Sequence, residues 1–138
     1  MDRAQLQQLA ELRVQDADVL LAAGQWAAAY YLLGYCIECG LKACVAKQFR
    51  ADEVPDRKFV NSFYTHRLED LLAISGVKSQ LATQSSMDPN FEVNWNTVLG
   101  WNETSRYELV ITEAVARGMR EAIMNSTSGI LPWLKTQW

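Results

Sequence analysis

The chain is sparing with the residues on which most enzyme chemistry depends. Its 138 residues include one histidine, His66, and three cysteines, Cys36, Cys39 and Cys44. Three thiols cannot all pair within one chain. All of them lie in one apolar run, so they read as reduced core residues of a protein in a reducing compartment and not as a disulfide framework. There is no glycine-rich phosphate loop, no paired-carboxylate motif and no nucleophile elbow. Basic residues are not in excess either: 13 Lys and Arg stand against 16 Asp and Glu, a net charge of −3, which opposes nonspecific nucleic-acid binding by counterion release. The opening MDRAQLQQLAEL mixes charge and apolarity in a helical period. It lacks the uninterrupted hydrophobic segment and small-residue cleavage site of a secretory signal, and a cytoplasmic location is expected. Internal repeats and low-complexity tracts are absent too.

What the chain does have is an apolar run from Trp26 to Val45, WAAAYYLLGYCIECGLKACV, with Glu38 and Lys42 inside it. Twenty apolar residues are enough to cross a bilayer, but two charges near the middle argue against a span, and no membrane association is expected. Glu38 precedes Lys42 by four positions, which sets carboxylate and ammonium side by side on one helix stripe. The run reads as a buried central helix, and those two charges are the first place to look for function.

The length suits a single domain, residues 1–138, with a real core. Leu6, Leu9, Ala10, Ala17, Leu20 and Leu21 recur at spacings of three and four, which predicts an amphipathic helix over Asp2 to Ala23. Gly24 ends it, and so short a break forces the Trp26 helix, running to about Phe49, back antiparallel as a hairpin. That second helix is apolar on two stripes: Trp26, Tyr30, Leu33, Ile37, Leu41 and Cys44 on one, Leu32, Tyr35, Cys39, Ala43 and Ala46 on the other. A helix apolar nearly all round has neighbours nearly all round, and a second subunit is expected to cover one face. Gly34 and Gly40 point to close backbone approach or a bend.

Arg50 to Tyr64 reads as a connection. Thr65 caps a third helix, HRLEDLLAIS, which Gly76 interrupts, and Lys78 to Gln84 resumes as a short helix before the turn-rich SSMDPN. Phe91 to Tyr107 has no clear period and reads as an ordered loop or short extended piece, too apolar for disorder. Thr112 opens a last helix that loosens near Ser126 to Gly129, and Pro132 starts a final turn carrying Trp133 and Leu134. Lys42 to Lys78 carries seven basic and five acidic residues, an ordinary mixed-sign surface.

Tyr30, Glu38, Leu41, Lys42 and Ala43 on the second helix, then Thr65, His66, Leu68 and Leu71 opening the third, then Arg106 and Tyr107 before the last, together resemble the HEPN family of helical domains. The likeness spans nearly the whole chain. It implies an all-α, up-and-down bundle of four or five helices, a homodimer, and a place in nucleotide or RNA biology. Such domains are often encoded beside a small nucleotidyltransferase or act as ribonuclease toxins in prokaryotic defence. The catalytic branch carries an Arg and a His with four to six residues between them. Here His66 precedes Arg106 by forty positions, and Ile111, Thr112 and Glu113 stand where the motif after Arg106 needs the imidazole. Losing that general acid/base removes roughly 10²- to 10⁴-fold of rate, so no catalytic residue is assigned.

Five residues remain as ligand-binding candidates: Glu38, Lys42, His66, Arg106 and Tyr107, converging at one end of the bundle as a polar pocket for a phosphate or nucleotide, since arginine suits bidentate phosphate contacts. The structural counterpart is an Arg106 to Glu38 ion pair, because a carboxylate on a buried helix needs a partner. His66 alone also serves as a neutral imidazole donating to a loop carbonyl. A zinc site of Cys36, Cys39, Cys44 and His66 is set aside, because the thiols point to different helix faces, and no metal or cofactor is expected. Trp95 and Trp101 offer stacking surfaces for bases, but no Lys or Arg lies between Phe91 and Trp101, so they read as core or interface anchors. The expectation is a noncatalytic HEPN-type dimerisation or interaction module, with a divergent metal-independent ribonuclease using His66 and Arg106 as the alternative.

Overall fold

The computed structural model describes residues 1–138 and is helical throughout, with no strand. Eight α-helices follow in order: α1 (Arg3–Ala22), α2 (Trp26–Ala46), α3 (Arg57–Ser62), α4 (Leu68–Ile74), α5 (Lys78–Met87), α6 (Pro89–Leu99), α7 (Glu113–Met124) and α8 (Ile130–Gln137), with a 3₁₀ turn at Glu103–Tyr107 between α6 and α7.

The first helix starts in a reciprocal cap: Gln5 N–H donates to the Asp2 carboxylate at 2.8 Å, and Asp2 N–H donates to Gln5 Oε1 at 2.9 Å. It ends in a Schellman motif. Gln25 N–H reaches the Leu20 carbonyl and Gly24 N–H the Leu21 carbonyl, with Gly24 at φ +73°, a conformation that a side chain would oppose. Gly76, at φ +78°, breaks the chain between α4 and α5 by the same means.

The core is built on α2. Leu33, Cys36, Ile37, Leu41 and Val45 are fully enclosed, and α1, α4, α7, α8 and the 3₁₀ turn all pack on this helix. The cover that its two apolar stripes demand is supplied largely within the chain, so burial of α2 does not itself require the second subunit that the sequence suggested. Trp95 and Trp101 are core anchors. Polar ties fix the packing: Arg120 grips Asp18 through two bonds at 3.0 and 3.2 Å, joining α7 to α1, and Asn94 donates to the Ser128 carbonyl at 2.9 Å, joining α6 to the start of α8.

Three local expectations need correction. Pro89–Leu99 is helix and not loop: Asp88 caps it by accepting from Asn90 and Phe91 N–H, Pro89 fills the first helical position, and Phe91, Trp95 and Val98 form the buried stripe. The Arg50 to Tyr64 connection holds a short helix, α3, capped by Asp56. Finally, α4 begins at Leu68, because the Thr65 hydroxyl accepts from Arg67 N–H in a turn ahead of the helix and does not cap it. No helix is long and apolar enough to cross a membrane.

Candidate functional site

Glu38 lies three turns inside α2 with its side chain only 2 % exposed, and it is partnered twice. Lys42, one turn on along the same stripe, donates from Nζ to Glu38 Oε1 at 2.8 Å. His66, carried by the loop between α3 and α4, brings Nδ1 to the same oxygen at 2.9 Å. A carboxylate accepts, so Nδ1 is the ring nitrogen that donates in this contact. The lysine is nearly enclosed and sits over the Phe63 ring, 5.4 Å from its centroid, whereas the histidine side chain is 54 % exposed. The cluster therefore clips the α3–α4 loop to the core helix while keeping an oriented imidazole at the surface.

Three of the five candidate residues thus converge, and two do not. Arg106 lies in the 3₁₀ turn, its guanidinium stacked on the Tyr107 ring at 4.9 Å, and it lines a cleft with Ala27 and Ala28 at the N-terminal end of α2. Ten residues of helix separate Ala28 from Glu38, about 15 Å along the axis. The Arg106 to Glu38 ion pair is accordingly replaced by the Lys42 and His66 contacts, and the five-residue pocket does not form. His66 donates to a carboxylate, not to a loop carbonyl.

The thiols stay in the core. Complete burial pushes the Cys36 thiol far up, and burial raises Cys39 and Cys44 to about 11 each, with the nearby Glu38 charge adding to the effect at Cys39. No group of three His, Cys, Asp or Glu side chains converges, so the Cys36, Cys39, Cys44 and His66 site does not assemble.

No family model, curated protein or solved structure matches this chain. Its function has to be sought in its own geometry.

Residues outside the sequence-derived set also shape these places. Phe63 underlies Lys42, and Ser105 and Gln25 line the Arg106 cleft. Gln25 was within reach of sequence reasoning, since the Gly24–Gln25 entry to α2 offers none of the Ser, Thr, Asp or Asn caps that usually satisfy a helix start. Phe63 and Ser105 carry no such signal.

Proposed function

We propose that this chain is a noncatalytic helical interaction module of HEPN type that works as a homodimer in the cytoplasm, associated with nucleotide or RNA biology in a prokaryotic stress or defence system, with a nucleotidyltransferase as the kind of partner it serves. One observation carries the interaction role. Between the 3₁₀ turn and α7, Leu109 and Val110 are 93 % and 84 % exposed beside an exposed Tyr107, an apolar strip gathered in one short segment of the surface. The backbone groups of Leu109, Val110 and Ile111 make no hydrogen bond within the chain. Two copies meeting about a two-fold axis satisfy each other's free donors and acceptors while covering the strip, which makes a second copy the natural occupant. Light scattering on the purified protein at micromolar concentration is expected to give a dimer, and Leu109→Asp with Val110→Asp a folded monomer. A monomeric wild type overturns this reading.

His66 favours a second reading, a divergent metal-independent ribonuclease. A buried carboxylate that fixes one ring nitrogen and leaves the other free is the arrangement of an oriented general base. Arg106 of a second copy would have to complete such a site. Cleavage of RNA by the purified protein, abolished in His66→Ala, is its signature, and activity that is absent or survives the change removes it.

A further inference from the structure

From Ala46 to Arg67 no residue is buried, the longest such run in the chain. The run is nevertheless held at both ends. At its start Lys47 Nζ donates to the Gln137 carbonyl at 2.9 Å and the Gln48 side-chain amide donates to the Ile74 carbonyl; just past its end Leu68 enters the core at 4 % exposure. Between these anchors lies a strap, residues 50–66, whose own helix α3 has six residues and buries none of them. So short a helix has no stability of its own and depends on what it leans against.

What it leans against is partly a hollow. Val60, Phe63 and Tyr64 of the strap share with Ala46, Phe49 and the first residues of the chain the lining of an open space of about 390 Å³. Every backbone hydrogen bond made by residues 50–66 stays inside the segment. Two ring contacts reach out of it: Phe59 against Phe49 at 5.3 Å, and Phe63 under Lys42 Nζ at 5.4 Å. The one hydrogen bond that ties the strap to a residue distant in the chain is His66 Nδ1 to Glu38 Oε1 at 2.9 Å. At the opposite end the backbone turns at Asp52, φ +68°, the only non-glycine residue in the left-handed region.

We propose that residues 50–66 are a gate over the Glu38–Lys42 pair: the strap lifts as a unit, hinging at the Asp52 turn and at the turn before α4, while the helical body stays folded. His66 on Glu38 is the latch that sets the balance. Sub-global openings are drawn from segments with few buried contacts, and this one has no buried side chain and a single long-range hydrogen bond. The latch is also releasable. Lys42 satisfies the Glu38 carboxylate from the same helix at 2.8 Å, so His66 can leave without stranding the charge. Opening uncovers Glu38 and Lys42, whose side chains are 2 % and 13 % exposed when the strap is shut, and removes one wall of the hollow. The gate rests neither on the dimer nor on the HEPN resemblance.

Native-state hydrogen exchange followed by NMR over a series of low urea concentrations tests it. The amides of Val60, Phe63 and Tyr64, which bond only within the strap, are expected to share one opening constant, at least about a hundredfold larger than that of Ile37 and Leu41 in α2 and nearly independent of urea, whereas the α2 constant rises steeply. His66→Ala is expected to raise the strap constant roughly tenfold, in step at all three amides. His66→Asn, whose Nδ2 stands close to the place of the imidazole Nδ1, is expected to recover most of that loss. Strap amides that follow the constant and urea slope of α2 overturn the gate, as do strap amides with no protection at all in the wild type. A strap constant equal in the wild type and His66→Ala overturns the latch.

Discussion

Gly34 lies directly under the indole of Trp101: a Cβ at this glycine would fall 2.2 Å from Cγ and Cδ2 of the ring. The tryptophan, 3 % exposed and tilted against Tyr31 at 6.0 Å, occupies the space that a side chain on α2 would need. Gly34→Ala must displace a rigid, buried ring. The gain of up to about 1 kcal/mol in helix propensity does not offset that, and a net loss of about 2 kcal/mol is expected in denaturant unfolding. An unchanged or higher midpoint would show that Trp101 has room to move.

Gly118 is the opposite case. It sits exposed in the middle of α7 with nothing within 4 Å of a built Cβ, so Gly118→Ala is expected to raise stability by about 0.5 to 1 kcal/mol. The same unfolding measurement on both variants separates a glycine that packing requires from one that it does not. A destabilised Gly118→Ala would contradict the open surface of α7.

That contrast also marks how far the sequence can be read. Close approach at Gly34 and Gly40 was legible as a class of cause, because glycine inside a long helix weakens it without compensation; the partners, Trp101 and Leu134, are remote in sequence and were not. The Glu38–Lys42 pair was legible because helix geometry alone brings them together. His66 reaches Glu38 only through the path of the α3–α4 loop, and Arg106 was assigned to the wrong end of α2 because nothing local reports the direction of a 3₁₀ turn. The α6 helix was missed although Asp88, Pro89 and the Phe91, Trp95, Val98 spacing all signal it. Asn94, Asn96 and Thr97 lower the local propensity, and tertiary burial overrides it.

The Glu38–Lys42 pair is expected to show strong coupling. With Glu38 almost fully enclosed and Lys42 13 % exposed, Lys42→Met leaves the buried carboxylate with the half-exposed His66 as its one remaining partner and should cost about 2 kcal/mol. Glu38→Leu combined with Lys42→Met removes both charges and is expected to be more stable than the single variant. Additive losses in this double-mutant cycle would mean that the pair is effectively solvated.

Thiol chemistry checks the core. Raised by burial to about 11 at Cys39 and Cys44, and pushed up furthest at Cys36, the cysteines hold almost no thiolate near pH 8. Ellman's reagent at that pH should titrate none of them in the native protein within minutes and all three in denaturant. Prompt modification of any one in the folded state would place it at an accessible surface.

Asp88 sets an acid limit on the α6 start. The Ser128 hydroxyl donates to its Oδ2 at 2.7 Å, and Asn90 and Phe91 N–H donate to its Oδ1 at 3.0 and 3.2 Å, which together hold the carboxyl below its ordinary 3.8. All these donors favour the ionised form. A carboxyl depressed on folding contributes stability that is complete above its unfolded value and is lost as pH falls through its folded one, so the loss belongs below about pH 4. Asp88→Asn keeps a capping oxygen but does not titrate. Unfolding midpoints followed from neutral to acid pH are therefore expected to fall less steeply in Asp88→Asn than in the wild type over that acid range, with the two curves parallel above it. Parallel curves throughout would mean that the Ser128 contact does not discriminate between the charged and neutral carboxyl.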